Sequence, residues 1–227
     1  YDITIVDTAI NGNNPDHLTD SVRKDVQEKI IDTTKSITDK NSVTKNHVAV
    51  SITFSHPIPP NPAGTAQDTD YLYQDPNGDL YRYNFGFSIL NQFPFIVQIA
   101  GGNVDVGWVL AAKLTSSVGT KWVAKTDTVI ISGGLSIYLL SEGEMMADTS
   151  FVLGTQTIKT RHARNTVTAT ALGGAPVGET ATVILDSYYS TDINAVVCDF
   201  FRHVTLIGSQ YSKQAQGTFK VMTSYTP

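Results

Sequence analysis

The sequence predicts a mainly β fold with a minor α+β character. The expected architecture is an antiparallel β-sandwich or jelly-roll-like body, with an N-terminal amphipathic helix and one short C-terminal helix. From Tyr71 onward, short apolar runs alternate with Gly, Pro, Asn and Asp clusters, which is typical of many strands joined by turns. Charged residues make up 16% of the chain, against about 25% in a typical protein, so a sizeable core is expected rather than disorder. A single cysteine excludes both an internal disulfide scaffold and a cysteine-based zinc site.

The N-terminal part, residues 1–66, is predicted to be an arm. Residues 2–6 alternate as a short strand does, and Asn14-Pro15 has the chemistry of a helix start. Apolar residues then recur at every fourth position in a helix expected to end near Ile37: Leu18, Val22, Val26 and Ile30. Because this apolar stripe is narrow, the helix should lie on the surface of its own body or of a neighbouring copy.

A proline-rich segment separates this arm from the rest of the chain. Residues 39–46 are polar, residues 47–54 read as a strand, and residues 55–68 form an extended loop, since prolines cannot continue a central strand. We therefore expect a β-rich body at residues 67–227. Loops of this length are often functional or interface-forming. The predicted assembly interface comprises Leu18, Val22, Val26, Ile30, Pro57, Pro59 and Pro60.

The body begins with a hairpin whose turn is explicit in the sequence. Tyr71 to Tyr73 and residues 80–87 flank Asp75-Pro-Asn-Gly-Asp79, which is a recipe for a tight turn. The same spacing resembles the start of a calcium loop, but Leu80 stands where the invariant glycine belongs, so no calcium site is predicted. Further strands are expected at residues 93–100, 104–114, 121–132, 135–140, 155–171, 180–189 and 217–225.

The segment at residues 190–207 is ambiguous between helix and strand. Its apolar residues recur at three- and four-residue spacing, which favours a helix. The competing interpretation is two short strands, because Val and Phe favour sheets. With the helix interpretation, the order strand (157–171), strand (180–189), helix (190–207) resembles the end of single-stranded RNA phage coat proteins.

No local motif indicates catalysis, a cofactor or a metal. The chain has no G-x-S-x-G elbow, no Walker loop and no G-x-G-x-x-G, and its histidines show none of the usual zinc spacings. We therefore predict a non-enzymatic protein without cofactor or metal. The lone Cys198 is expected to be a small buried hydrophobe.

One basic cluster lies at residues 159–164. On a strand, Lys159 and Arg161 share one face while His162 and Arg164 share the other. In an acidic chain of net charge -5, this local concentration predicts contact with the phosphates of RNA or DNA through Lys159, Arg161 and Arg164. The alternative is that these cations pair with acidic residues across the sheet or are simply solvated.

The low charge fraction suits a surface that is buried against copies of itself. We accordingly predict a self-assembling structural subunit, a viral or phage coat protein forming a shell or filament, located in the virion or outside the cell. No integral membrane span is expected, since Asn, Gln and Pro interrupt the long uncharged stretch at residues 83–104. Two alternatives stay open: a β-pore-forming toxin that inserts the hairpins at residues 104–132 and 155–189, and a carbohydrate-binding sandwich. The sandwich alternative uses Tyr71, Tyr73, Tyr81 and Tyr83.

Overall fold

In the computed structural model, the described residues form thirteen β-strands, all paired antiparallel. The structure describes residues 2–12, 20–55, 66–85, 105–130, 136–172, 180–193, 195–205 and 215–226, and these residues contain no helix. The strands are β1 (Asp2–Gly12), β2 (Asp20–Thr38), β3 (Thr44–Ser55), β4 (Ala66–Gln74), β5 (Asp79–Tyr83), β6 (Trp108–Lys113), β7 (Lys121–Ile130), β8 (Ser136–Met145), β9 (Thr149–Leu153), β10 (Gln156–Ala171), β11 (Thr180–Ser190), β12 (Ala195–Thr205) and β13 (Ala215–Thr226).

The strands follow one another around the sheet almost in chain order. The order is β6-β5-β4-β3-β2-β1-β13-β12-β11-β10-β8-β7, so nearly every neighbouring pair is also consecutive in the sequence. The first and last strands pair directly, with Asp2 opposite Thr226 and Gly12 opposite Ala215. Strand β9 lies off this path and pairs with the first residues of β10 in a small second sheet.

The two ends of the large sheet pack against each other across a buried interior. The side-chain amide of Asn165 on β10 donates to the carbonyl of Ala111 on β6 at 2.8 Å, and the indole N–H of Trp122 on β7 donates to Leu110 at 2.9 Å. Apolar side chains from β5, β6, β8, β10 and β11, together with Leu114 just beyond β6, fill the space between these ends: Leu80, Ala112, Leu114, Met145, Ala163 and Tyr189. The curvature thus brings strands from distant parts of the chain into one core.

A second, smaller apolar cluster holds the β9–β10 hairpin in place. Ile158 packs with Val197 of β12 and Met222 of β13, and Phe151 and Leu153 of β9 pack against the same group. Because Ile158 is packed in this cluster, the first residues of β10 are held in place beside the turn that joins β11 to β12.

The predicted hairpin at β4 and β5 is confirmed. The N–H of Gly78 donates to the carbonyl of Asp75 at 3.0 Å, and Gly78 has a φ of 86°, a conformation that glycine adopts without strain. One carboxylate oxygen of Asp75 accepts the N–H groups of Asn77 at 3.0 Å and Asp79 at 2.9 Å. The Asp75 carboxylate therefore stabilises the turn, as the residue types of this segment predicted.

The predicted N-terminal helix is wrong for the part of it that the structure describes. Residues from Asp20 onward form β2, which pairs with β1 on one side and β3 on the other. A four-residue spacing is ambiguous, because positions four apart share a face in a strand as well as in a helix. Two neighbouring strands supply hydrogen-bonding partners along β2, and that tertiary pairing overrides the local helix signal.

The predicted C-terminal helix is also wrong, and the competing strand interpretation is correct. Ala195–Thr205 forms β12, paired with β11 and β13. A register shift lies between Tyr188 and Tyr189 in the β11–β12 pairing. Such an irregularity admits an extra residue into a strand, which obscures a strict alternation in the sequence.

Other predicted elements are partly outside the described residues. The strand predicted at residues 93–100 and most of the proline-rich loop, including Pro57, Pro59 and Pro60, lie outside them, as does Leu18. Strand β9 was not predicted, since residues 149–153 are a short exposed run with only partly buried hydrophobics. The division at residue 66 stays a prediction.

Candidate functional site

Strand β10 divides its basic residues between two faces, as the sequence predicted. Arg164 donates two hydrogen bonds to the carboxylate of Asp186, from Nε at 2.8 Å and Nη2 at 3.1 Å. His162 Nε2 lies 2.7 Å from the same carboxylate and stacks on the ring of Tyr188. Burial disfavours the charged form of Asp186, but the hydrogen bonds from His162 and Arg164 outweigh it and lower its pKa to about 2. The guanidinium of Arg164 is therefore already paired with the carboxylate of Asp186.

Lys159 and Arg161 lie on the other side, at a polar pocket of about 350 Å³. The pocket lies where β9 begins, beside the turn between β11 and β12, and it is lined by Asp148, Thr149, Ser150, Lys159, Thr160, Arg161, Thr191 and Asp192. We call this the hairpin pocket. The structure therefore brings together two of the three predicted nucleic-acid contacts and separates the third.

Arg161 is held in this pocket by groups of its own chain. Its Nη2 donates to the carbonyl of Ser116, and its Nε lies 3.0 Å from Asp148 Oδ1. Nε is buried and makes no hydrogen bond among the described residues, although this carboxylate oxygen lies close to it. Beneath it, the buried Thr160 hydroxyl donates to the carbonyl of Thr149 at 3.1 Å.

A second candidate site is an aromatic surface on β4 and β5, which we call the tyrosine face. In the register of these strands Tyr73 stands opposite Tyr81, and Tyr71 lies beside Tyr83. Ring centroids are 6.1 Å apart in the first pair and 6.0 Å apart in the second. All four tyrosines are half-buried, whereas the alternating residues Leu80 and Arg82 are buried on the opposite face.

Polar groups contact the tyrosine face at both ends, an ammonium over the rings of one pair and a carboxylate beside the hydroxyl of the other. The ammonium of Lys45 lies 3.7 Å from the ring centroid of Tyr81 and 4.8 Å from that of Tyr73. Burial against the rings lowers the pKa of Lys45, although nearby carboxylates partly oppose this effect. At the other end the Tyr83 hydroxyl donates to Asp105 at 3.1 Å, and burial together with that carboxylate raises the pKa of Tyr83 to about 12.

A charged group inside the core joins opposite parts of the sheet. Arg82 Nη1 of β5 lies 2.8 Å from Asp199 Oδ2 of β12, and the other oxygen of Asp199 accepts the Ser187 hydroxyl at 2.5 Å. Burial disfavours the charged form of Arg82, but Asp199 outweighs this and its pKa is raised well above the usual range. The arrangement stabilises the packing and offers no opening to a ligand.

Cys198 is buried, as predicted. Burial, with Asp199 and Asp186 nearby, raises the pKa of its thiol to about 12, so the thiolate is disfavoured. Among the described residues, no group of His, Cys, Asp and Glu is arranged to hold a metal ion. The same residues include no helix long and apolar enough to cross a membrane.

Sequence reasoning found the basic residues of the hairpin pocket but not its acidic wall. Asp148, Thr191 and Asp192 come from two turns distant in the chain, and nothing in their local sequence signals a shared site. The predicted interface residues Val22, Val26 and Ile30 lie on β2, whose two edges are both paired within the chain. Contact with a second copy through them stays a prediction.

Comparison with known proteins found one structural likeness and no family. No family model matches the chain, and no curated protein matches it. A solved structure described as a putative lipoprotein from Parabacteroides distasonis matches at 12% identity and a TM-score of 0.48, covering 99% of this chain and 95% of that one.

The prediction of a viral coat or virion subunit is wrong on this comparison. The matched structure is a bacterial protein and is not described as a coat or virion protein.

Proposed function

We propose that the protein is a non-catalytic, extracellular β-sandwich that binds carbohydrate through the tyrosine face. The observation that carries the proposal is the row of half-buried tyrosines on one face of β4 and β5, bordered by a lysine ammonium and a carboxylate. Tyrosine offers a large, rigid, amphipathic contact area at a low cost in conformational entropy. Such a surface suits a ligand that is apolar on its C–H faces and polar at its edges, as a saccharide ring is.

The rings are suited to contact a sugar because they are already fixed against one another. Tyr83 packs edge-on against both Tyr71, at 6.0 Å, and the buried Trp108, at 5.3 Å. Electron-rich ring faces attract groups with partial positive charge, and the C–H bonds of a sugar have that character. Since these rings are held before binding, little ordering cost is added when a ligand arrives.

Hydrogen-bonding groups are available where the hydroxyls of a sugar would project. Lys45 carries three donors over the rings of Tyr73 and Tyr81, and Asp105 supplies carboxylate oxygens beside the Tyr83 hydroxyl. Cross-strand packing alone would account for the ring pairs but not for the polar border. The combination of rings and border favours binding over packing alone.

The pore-forming alternative has no comparable support. Strand β10, the first strand of its second hairpin, is paired with β8 and β11, and the side chains of Ala163, Asn165 and Val167 are fully buried. Insertion into a bilayer would require the loss of these pairings. Self-association of the chain remains an untested prediction.

A glycan array probed with the full chain tests the proposal, followed by titration calorimetry of any hit. We expect the double variant Tyr73→Ala/Tyr81→Ala to weaken binding at least tenfold, which corresponds to about 1.4 kcal/mol. The matched control is Tyr138→Ala, which removes an exposed tyrosine of β8. Absence of any glycan hit, or unchanged affinity in the folded double variant, would contradict the proposal.

A further inference from the structure

We infer that the hairpin pocket is a second binding site, specific for a single sugar acid, a polyhydroxylated ring that carries one carboxylate. The inference does not depend on the tyrosine face, which belongs to other strands. It rests on the size of the pocket, on the charges left unpaired in it, and on the chemistry of its lining.

The pocket is built for a small ligand. Its volume of about 350 Å³ lies near the lower end of the range of about 300 to 1,000 Å³ usual for ligand sites. One wall is fixed by the apolar packing of Ile158 against Val197 and Met222. The side chains of Thr160 and Arg161 donate hydrogen bonds to the backbone carbonyls of Thr149 and Ser116, and these bonds fix the adjoining part of the pocket.

The charges of the pocket are not all used internally. Arg161 is neutralised by Asp148, with Nε and Oδ1 3.0 Å apart. None of the ion pairs among the described residues involves Lys159 or Asp192. Within the described part of the chain, the pocket therefore presents one cation, Lys159, and one carboxylate, Asp192, that make no ion pair.

The other lining residues are Thr and Ser, and the hydroxyl of one of them, Thr160, already donates to the carbonyl of Thr149. Thr149, Ser150 and Thr191 are exposed, and their side-chain oxygens make no hydrogen bond within the described part of the chain. No aromatic or large apolar side chain lines the pocket. This excludes stacking on a nucleobase, the usual means of holding an unpaired nucleotide.

A sugar acid offers partners to most of these groups. Its carboxylate would pair with the Lys159 ammonium in a charge-assisted hydrogen bond, and its hydroxyls would donate to Asp192 and exchange hydrogen bonds with Ser150 and Thr191. A nucleic-acid backbone fits less well, because it brings several phosphates toward Asp148 and Asp192, whereas a sugar acid brings one carboxylate for Lys159 and hydroxyls that can donate to the acidic side chains.

Calorimetric titration of the full chain with glucuronate, galacturonate and mannuronate tests this inference, with glucose, galactose and mannose as the neutral partners. We expect at least one acid to bind at least tenfold more tightly than its neutral sugar. The variant Lys159→Gln should abolish that preference, and Asp192→Asn should weaken binding of the acid.

Two control variants distinguish binding in the hairpin pocket from binding elsewhere on the protein. Lys121→Gln removes an exposed lysine of β7, outside the pocket, and should leave the preference intact. The variant Tyr73→Ala/Tyr81→Ala should also retain uronate binding, even if it loses the glycan bound at the tyrosine face. The inference is overturned if none of the three acids binds, or if acid and neutral sugar bind equally. It is also overturned if a single-stranded oligonucleotide binds in a way that depends on Lys159 while the acids do not.

Discussion

Removal of one partner of the buried pair Arg82–Asp199 should lower the free energy of unfolding substantially. A second substitution, at the other partner, should restore part of that loss. The side chain of Arg82 is 7% exposed and that of Asp199 is 5% exposed, and their charged atoms lie 2.8 Å apart. In the variant Arg82→Met the carboxylate of Asp199 stays in the core with Ser187 as its remaining close donor. Breaking a buried pair by removing one partner costs about 3–5 kcal/mol, because the other charge is left uncompensated.

A second substitution should return part of this loss. In Arg82→Met/Asp199→Asn the buried group is neutral and has nearly the same shape, so the remaining cost is that of an imperfectly paired amide, about 1–3 kcal/mol. We therefore expect the double variant to be more stable than Arg82→Met by about 2 kcal/mol. A loss this large in the single variant is a substantial share of the about 5–15 kcal/mol by which proteins are stable.

Guanidinium denaturation followed by tryptophan fluorescence measures the free energy of unfolding of both variants, since Trp108 and Trp122 lie in or beside the packed strands. The slope of the transition should stay constant, so that midpoint shifts report stability. The reasoning is refuted if Arg82→Met loses less than about 1 kcal/mol, or if the double variant is no more stable than the single one.

Two further predictions concern other parts of the sheet. The pKa of Asp186 is lowered from 3.8 to about 2, so its carboxylate stabilises the fold above pH 4 and that contribution is lost as the pH falls toward 2. The shift corresponds to about 2 kcal/mol, and Asp186→Asn should flatten the pH dependence of the unfolding midpoint in this window. In Gly143→Ala the new methyl would lie 2.1 Å from Trp122 Cε2, so the indole must move and lose its bond to Leu110. We expect a loss of about 1–3 kcal/mol with a shifted tryptophan emission, whereas an unchanged spectrum and midpoint would contradict the packing described.

Local chemistry predicted the turns and much of the β-body. Asp75-Pro-Asn-Gly-Asp79 forms the expected turn because Gly78 accepts a positive φ and the Asp75 carboxylate bonds the following N–H groups. The alternation of Val167 and Ala169 with threonines is likewise matched by alternating burial along β10. In both cases the signal lies within a few residues, so no knowledge of distant partners is needed.

The helix predictions were wrong where the spacing of apolar residues was compatible with both a helix and a strand. Val22, Val26 and Ile30 are four apart, which places them on one face of either element. The choice depended on whether partner strands lay beside them, and β1 and β3 do. The hairpin pocket also depends on contacts between distant parts of the chain, because Lys159 and Asp192 become neighbours only when β10 lies beside the β11–β12 turn.

Composition and local pattern were enough to predict a largely β protein with few charges, a tight turn after β4, and basic residues on opposite faces of β10. Only the folded structure shows that β1 pairs with β13, that Arg82 meets Asp199 across the core, and that Lys159 and Asp192 line one pocket. The physical reason is that composition and periodicity record which residues are buried and which alternate. Pairing between strands depends on contacts between residues far apart in the chain, and the local pattern does not specify them.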